Sequence, residues 1–297
     1  MGNLIFWGLQ MLTFFLDILV DALYETLSLF PYLYLTYLLM EYLEHQMSRR
    51  SMIYIRKAKE YGPIVGGFLG LIPQCGFSIA SANLYATGLV TLGTLFAVFL
   101  STSDEMLPLL ISGGIGGQLI AQILCIKVFF SIVSGFLIDK FLPSSFIRKK
   151  NDPDISTFCK HEKCKCDGKE NIWRAAFTHT QKISLLIFFF SFIVNLAFAF
   201  GGMETINDAL TGIPFLSKFI AALVGLIPSC YPSVFLTQLY LAGTISLGTM
   251  MAGTLSNAGL GFLVLYKVNR NQKENTKILA ILYGIGVCGG IISEILF

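Results

Sequence analysis

Apolar segments of about 20 residues alternate with short polar loops along most of the chain. At about 1.5 Å per residue, a helix of this length crosses a hydrocarbon core of about 30 Å. The apolar segments occupy residues 27–45, 62–88, 91–111, 119–141, 177–200, 217–242, 246–265 and 278–296. Because hydrocarbon does not satisfy the hydrogen bonds of exposed strands or loops, the pattern predicts an all-α polytopic membrane protein.

A further apolar segment lies at residues 1–25, where Asp17, Asp21 and Glu25 recur every four residues. The segment lacks the basic start and the small-residue cleavage site of a secretory signal peptide. We therefore expect an N-terminal apolar helix with an acidic stripe. This helix either spans the membrane with the stripe turned inward or lies along the membrane surface.

The composition supports a membrane protein. The 297 residues are 55% hydrophobic and only 13% charged, whereas a soluble globular domain has about 25% charged residues. These values exclude an ordinary cytosolic enzyme, a disordered chain and, despite the net charge of +3, a nucleic-acid-binding protein. The expected partners are the lipid bilayer and a solute, with no nucleic acid.

Positive charge is concentrated in three loops, at residues 46–60, 143–174 and 266–277, which hold most of the 21 lysine and arginine residues. The positive-inside rule predicts that all three loops are cytoplasmic. The linkers 112–118 and 201–217 contain no basic residue between their flanking segments, so we expect them outside. This topology leaves the C-terminus external.

Two segments of the chain repeat each other at a spacing of 155 residues without a gap. Residues 70–101 begin with GLIPQC, residues 225–256 begin with GLIPSC, and nearly half of the aligned residues are identical. A cytoplasmic loop precedes the first copy and an external linker precedes the second, which predicts an inverted-topology repeat. The predicted units are repeats at 26–142 and 175–297, joined by a basic cytoplasmic loop at 143–174.

Residues 62–88 must begin and end on the cytoplasmic side, so they cannot form a single crossing. We expect two short helices that fold back as a re-entrant hairpin, broken at Pro73, which lacks a backbone N–H. Residues 217–242 would form the equivalent external hairpin, broken near Pro228. With each hairpin counted as two helices, each half has five helices and the chain has ten.

Two such breaks are expected to meet near the bilayer midplane and to form a substrate site, since freed backbone groups are tolerated only where protein or water covers them. Each break carries a thiol, for which simple apolar filling is the alternative explanation. The candidate substrate-binding residues are Pro73, Gln74, Cys75, Ser78 and Asn83 in the first copy, and Ser229, Cys230, Ser233 and Gln238 in the second.

Polar residues also follow the end of each copy, and these differ between the halves. The further substrate-binding candidates are Ser101, Ser103, Asp104 and Glu105 in the first half, and Ser256 and Asn257 in the second. Carboxylates within the bilayer are unfavourable unless paired or hydrated, and typically mark ion paths. Lys127 is expected at a similar depth, so we predict that it pairs with Asp104 or Glu105 when no cation is bound. Either Lys127 or a proton on Asp104 would supply the coupling charge. A purely structural ion pair is the alternative.

Soft and hard ligands occur together among these candidates. Cys75 and Cys230 suit zinc-like metals or trivalent arsenic, whereas Asp104 and Glu105 suit manganese-like ions. A further predicted metal-binding set lies in the central basic loop and consists of Cys159, His161, Cys164 and Cys166. These four can surround a soft tetrahedral ion, or their cysteines are incidental to a flexible linker. We expect a metal ion as transported substrate and no permanently bound cofactor.

Several motifs together resemble a bacterial family of ten-transmembrane heavy-metal exporters, described as arsenic-permease-like or as manganese transporters. These are GLIPQC, GLIPSC, the stretch STSDEMLPLL, MEYLEH before the first basic loop, and the Cys/His-containing central loop. The resemblance runs along nearly the whole chain. It implies an inner-membrane exporter of a metal or metalloid, and it adds no functional residues beyond those already named.

The main hypothesis is a secondary transporter working by alternating access, since the chain has no P-loop for ATP. One alternative is a transmembrane thiol–disulfide carrier in which Cys75 and Cys230 form and break a disulfide. Another is a permease for an organic anion or an organoarsenical, held at helix N-termini. No set of nucleophile, base and orienting group indicates an enzyme. Glycine pairs permit close helix packing within or between chains, so a homo-oligomer stays open.

Overall fold

In the computed structural model, the chain is all-helical, with no strand among the described residues. The structure describes residues 15–38 except 25, 29, 32–33 and 36, residues 61–142 except 73–74 and 104–105, residues 172–197, residue 210, and residues 216–296 except 270. The predicted fold class, an all-α polytopic membrane protein, is confirmed.

After residues 15–38, which are helical wherever they are described, the chain forms further helices that are numbered here in order. They are α1 (Gly62–Leu69), α2 (Cys75–Ala86), α3 (Leu92–Ser101), α4 (Met106–Ser112), α5 (Gly117–Phe141), α6 (Ile172–Ala197), α7 (Leu216–Gly225), α8 (Tyr231–Leu241), α9 (Leu247–Ser256), α10 (Leu260–Val268) and α11 (Gln272–Leu296).

Long apolar helical stretches make this a multi-pass membrane protein. Within the described residues, five stretches are long and apolar enough to cross a bilayer: Leu92–Ser112, Gly117–Phe141, Ala176–Leu196, Leu247–Val268 and Gln272–Leu296. The helices α1 and α2 have 8 and 12 residues, and neither reaches the roughly 20 residues that a crossing needs.

The helices of residues 62–141 recur in residues 217–296 at the spacing of 155. The ten-residue helix α3 corresponds to the ten-residue α9, and the 25-residue α5 corresponds to the 25-residue α11. The glycines that close the turns after α2 and α8 also correspond, since Gly88 and Gly243 have φ of 79° and 72°. The structural correspondence thus extends well beyond the segment with evident sequence similarity.

Close glycine contacts define the direction of each short helix. Gly62 at the start of α1 lies against Thr94 at the start of α3, and Gly70 just after α1 lies against Ser101 at the end of α3. The two helices therefore run parallel, and α2 must run back to bring the chain to the start of α3. In the second half, the hydroxyl oxygens of Ser217 and Thr249 lie 2.9 Å apart near the starts of α7 and α9, and Gly225 at the end of α7 lies against Ser256 at the end of α9, so these two helices also run parallel.

The structure differs from the expectation of unbroken helices at 91–111 and 246–265. Helix α3 ends at Ser101 and α4 begins at Met106, while α9 ends at Ser256 and α10 begins at Leu260. In the second break, the Asn257 Oδ1 atom accepts a hydrogen bond of 2.8 Å from the Gly259 backbone N–H. Gly259 has a φ of 54° and a ψ of −150°, a backbone conformation that is essentially restricted to glycine.

Each hairpin packs on the broken helix of the other half. Ser78 in α2 lies against Gly261 in α10, where a Cβ atom would meet the Ser78 backbone at 2.7 Å. Likewise α8 packs against α4. One hydrophobic core therefore contains residues from both halves, among them Phe96, Leu100, Leu236 and Leu255.

The N-terminal segment lies along α6. Phe15 contacts Phe192 with ring centroids 5.7 Å apart, and Tyr34 contacts Trp173 at 6.4 Å, so the two elements run antiparallel. The side chains that this segment buries include Ile18 and Ala22. Asp17 and Asp21 of the acidic stripe are exposed, and Glu25 lies outside the described residues.

Candidate functional site

The C-terminal end of a hairpin helix is hydrogen-bonded to the C-terminal end of a broken helix in each half. The Ser256 hydroxyl donates to the Ala222 carbonyl at 2.8 Å and to the Gly253 carbonyl at 3.0 Å. The Ser101 hydroxyl lies 2.7 Å from the Ala97 carbonyl and 3.4 Å from the Gly66 carbonyl. Both serines are fully buried, so each joins two helix ends inside the protein.

Lys127 connects the two halves at this level. Its side chain is fully buried, with 0% exposure, although it lies in the middle of the spanning helix α5. Its Nζ atom donates to the Thr102 carbonyl at 2.5 Å and to the Thr254 carbonyl at 3.3 Å. Thr102 directly follows α3 and Thr254 lies in the last turn of α9, so one ammonium group contacts a helix C-terminus from each half.

The helix breaks make these two carbonyl groups available. The last four carbonyls of an α-helix have no partner within the helix, and the C-terminal end carries a partial negative charge. Because α9 stops at Ser256, the Thr254 carbonyl has no amide of a further turn to accept from. Two helix C-termini whose carbonyls lack helical partners can hold a cation. In this structure the cation at that place is the ammonium group of Lys127.

The residues around the second hairpin break are buried and bonded mostly to the local backbone. The Ser233 hydroxyl donates to the Cys230 carbonyl at 2.8 Å, and the Ser229 hydroxyl accepts from the Tyr231 N–H at 3.2 Å. Cys230 is a buried thiol outside any disulfide. It belongs to a cluster with Ile79, Ile187 and Leu260, so its surroundings are mainly apolar.

Two residues at equivalent positions of α2 and α8 have opposite environments. Asn83 has 0% exposure, and neither its Oδ1 nor its Nδ2 atom has a hydrogen-bond partner. Its counterpart 155 residues later, Gln238, is exposed. Both were predicted to bind substrate, and only Asn83 lies in the interior.

The remaining candidates near the breaks are buried as well. Ser78 lies at the contact of α2 with α10, the Ser103 hydroxyl donates to the Ser101 carbonyl at 3.1 Å, and Asn257 caps the second break. The structure thus gathers Ser101, Ser103 and Lys127 of the first half with Ser256 and Asn257 of the second at the ends of the broken helices.

Part of the predicted site lies outside the described residues. This holds for Pro73, Gln74, the side chain of Cys75, Asp104, Glu105, and the loop residues Cys159, His161, Cys164 and Cys166. Their metal binding and the pairing of Lys127 with a carboxylate stay predictions. In the described part of the chain, no group of three or more His, Cys, Asp or Glu side chains could hold a metal ion.

Two carboxylates that the sequence analysis did not select occupy equivalent positions at the other end of each broken helix. Asp139 accepts from the Gly93 N–H and from the Thr91 hydroxyl, both at 2.7 Å. Glu294 accepts from the Gly248 N–H at 3.0 Å and from the Ser246 hydroxyl at 2.6 Å. The sequence contains a signal for this pair, because an acid and a hydroxyl residue recur at the 155-residue spacing. The two acids, however, lie outside the segment of high identity.

Comparison with known proteins identifies the family. No curated protein and no solved structure matches the chain. The ArsP_2 family, described as "Putative, 10TM heavy-metal exporter", matches residues 11–201 and 152–285. The two matched ranges together cover nearly the whole chain and include both helix breaks and Lys127, so the chain belongs to this family of ten-transmembrane heavy-metal exporters.

Proposed function

We propose that this protein exports a metal or metalloid ion across the bacterial inner membrane by alternating access of two oppositely oriented halves. The cargo is a manganese-like divalent cation or a thiophilic metal or arsenic species. The observation that carries the proposal is the contact of the buried Lys127 ammonium with the Thr102 and Thr254 carbonyls. This contact joins the helix breaks of both halves through a positive charge.

The contacts of α11 support the opposite orientation of the halves. Tyr85, which ends the hairpin before α3, donates to Glu274 near the start of α11. Ser246, which precedes α9, donates to Glu294 near the end of α11. These two acids are separated by about 30 Å of helix at about 1.5 Å per residue. The starts of α3 and α9 are therefore far apart, whereas their C-terminal ends meet at Lys127.

This arrangement suits a transport site. Each ten-residue helix is about 15 Å long, so a helix that starts at one membrane surface ends near the midplane. Free carbonyls of broken helices coordinate cations in other transporters with repeated halves. We propose that Lys127 pairs with Asp104 or Glu105 when no cation is bound, and that an arriving cation displaces the ammonium group from that carboxylate and from the Thr102 and Thr254 carbonyls. The lysine then acts as the coupling charge.

Metal accumulation in cells that lack their own exporter tests this proposal. We expect wild-type protein to lower the cell content of one among manganese, zinc, iron, cobalt and arsenite, and to raise resistance to it. Lys127→Met should abolish this effect, while Lys127→Arg should retain part of it because the charge is kept. Lys140→Met is the matched control, because Lys140 is an exposed lysine near the end of the same helix.

Two results would overturn the proposal. If the wild-type chain changes the content of none of these metals although it is present in the membrane, it is not an exporter of this class. If Lys127→Met exports as well as wild type, the ammonium has no part in transport.

The proposed orientation has its own test. We propose that the loops 46–60, 143–174 and 266–277 are cytoplasmic and that the C-terminus is external, on the basis of the positive charge in these loops. A periplasm-active reporter fused after Phe297 should be active, and one fused within residues 143–174 should be inactive. The reverse pattern would contradict the proposed topology.

A further inference from the structure

We propose that the interface of α6 with α2 and α10 contains a narrow polar passage that admits water and small uncharged hydroxylated solutes to the Cys230 thiol. The proposal concerns a site away from Lys127 and does not depend on the identity of the cargo. It starts from a set of buried polar atoms without hydrogen-bond partners.

Asn83 provides the strongest of these observations. Its side chain is completely buried, and both atoms of its amide group are without a partner. An amide offers two N–H donors and an acceptor oxygen, and leaving all of them unbonded in the interior is strongly unfavourable. Buried polar groups in folded proteins are almost always bonded to protein or to ordered water. The Asn83 side chain therefore indicates an occupant that bonds to it.

Helix α6 presents a second set of such atoms. Neither the Ser184 nor the Ser191 hydroxyl has a partner, and the Asn195 Oδ1 atom also lacks one. Thr180 lies on the same side of the helix but donates to the Ala176 carbonyl at 2.8 Å. The spacings of four, seven and four residues place all four on one edge of the helix. Three polar groups on this edge, at Ser184, Ser191 and Asn195, thus need a polar occupant.

Both sets border the same cluster of side chains. Ile79 of α2, Ile187 of α6, Leu260 of α10 and Cys230 all belong to this cluster. Asn83 lies one turn beyond Ile79 on α2, while Ser184 and Ser191 lie one turn to either side of Ile187 on α6. Both sets of polar groups therefore border the apolar cluster that contains the thiol, and we place the passage along this border.

The chemistry of the lining determines what can enter. The edge of α6 that carries Ser184 and Ser191 has no charged side chain among the described residues, and Lys182 lies on an exposed face. A bare cation would lose its hydration without gaining a carboxylate. Amide and hydroxyl groups instead suit water and uncharged hydroxylated solutes, such as the un-ionised hydroxide of a trivalent metalloid. The thiol in the bordering cluster binds such soft elements well.

The reactivity of Cys230 in the native full-length chain tests the passage directly. The protein in lipid vesicles is treated with hydroxyethyl methanethiosulfonate, a small uncharged water-soluble reagent, and modification of Cys230 is followed by mass spectrometry. We expect modification of the folded protein, slowed about tenfold by Ser191→Leu because thiol exchange depends on access. Phe189→Leu is the control, since Phe189 is 55% exposed on the opposite face of α6.

A second pair of variants keeps the test decisive if Ser191→Leu does not fold. Ser191→Cys should be modified by the same reagent, and Ile193→Cys should not, since Ile193 is 61% exposed on the face turned to lipid. Failure of Cys230 and of the thiol introduced by Ser191→Cys to react before denaturation would overturn the passage. Equal rates at Cys230 in wild type and in a folded Ser191→Leu variant would overturn it too. Neither readout requires transport, so failure here leaves the exporter proposal untouched.

Discussion

The two halves of this protein have the same helices but fill the centre with different chemistry. At the middle of the spanning helix, the first half has Lys127 and the second half has Leu282 at the equivalent position, buried to 0% and 1% exposure. Both halves provide a helix C-terminus at the centre, yet among the described residues only the first half provides a charged side chain that contacts both of them. A duplicated backbone thus forms a symmetric frame, and single side chains make the site asymmetric.

In contrast to the centre, the outer ends of the two halves, where α3 and α9 begin, have the same kind of contacts. Asp139 and Glu294 hold the first turns of α3 and α9 through the same pair of donors, a backbone N–H and a hydroxyl. Glu294 also lies 3.8 Å from Lys218, where the first half has Pro63. The difference between centre and ends suggests that the ends maintain the frame while the centre carries the function.

The largest effect is expected from making the centre symmetric. Lys127→Leu copies the residue of the second half into the first, and we expect metal efflux to fall more than tenfold in loaded cells. Loss of hydrogen bonds to a charged group should also lower the free energy of unfolding by about 2 kcal/mol. Leu282→Met is the matched change in the second half and should cost less than about 1.5 kcal/mol. If Lys127→Leu and Leu282→Met export metal equally well, the two halves do not differ in function at this position.

The next effect concerns close packing at the ends of the short helices. A Cβ atom at Gly225 would collide with the Gly253 carbonyl oxygen and the Ser256 hydroxyl. Gly225→Ala should therefore lower stability by about 1–3 kcal/mol, measured by thermal unfolding in detergent. Gly284→Ala is the control, because nothing lies within 4 Å of a Cβ atom there. If both alanine variants unfold at the wild-type temperature, α7 and α9 are not in the contact described.

A smaller effect, equal in the two halves, is expected at the outer ends. Asp139→Asn and Glu294→Gln remove a negative charge from the N-terminus of α3 and of α9. Each should lower the free energy of unfolding by about 1 kcal/mol, again by thermal unfolding. The interaction of Glu294 with Lys218 adds little, since Glu294 is 39% exposed and water screens such pairs. A loss confined to one half would show that the two ends are not equivalent.

The smallest effects are expected where the halves differ in burial. Gln238→Leu changes an exposed side chain and should alter stability by less than about 0.5 kcal/mol. Asn83→Leu removes the hydrogen bonds that the amide makes to the proposed occupant, so it should lower stability by about 1 kcal/mol while closing the proposed passage. The thermal unfolding temperature and the rate of Cys230 modification check both outcomes. A stabilised Asn83→Leu variant would indicate that the amide has no occupant bonded to it in the folded protein.

Much of the architecture could be predicted because the bilayer restricts the choice. The apolar lengths and the lack of alternatives to helices in hydrocarbon led to the all-α membrane fold, and the GLIPxC repeat led to the pairs of short helices. The breaks at Thr102 and Asn257 were missed, because the polar residues that follow each copy were interpreted as ligands within a continuous helix. The contacts of Lys127 with the Thr102 and Thr254 carbonyls were not predicted, and its role as a coupling charge stays a prediction.

The sequence by itself determined the membrane class, the spacing of 155 residues between equivalent helices, and which polar residues lie in apolar segments, since these follow from length, hydropathy and self-similarity. Only the tertiary structure decided which of those polar residues meet. Lys127 contacts Thr102 and Thr254, and Asn83 is buried while Gln238 is exposed. Such contacts depend on how two halves with the same backbone pack against each other, and a linear pattern contains no information on the neighbours that packing brings together.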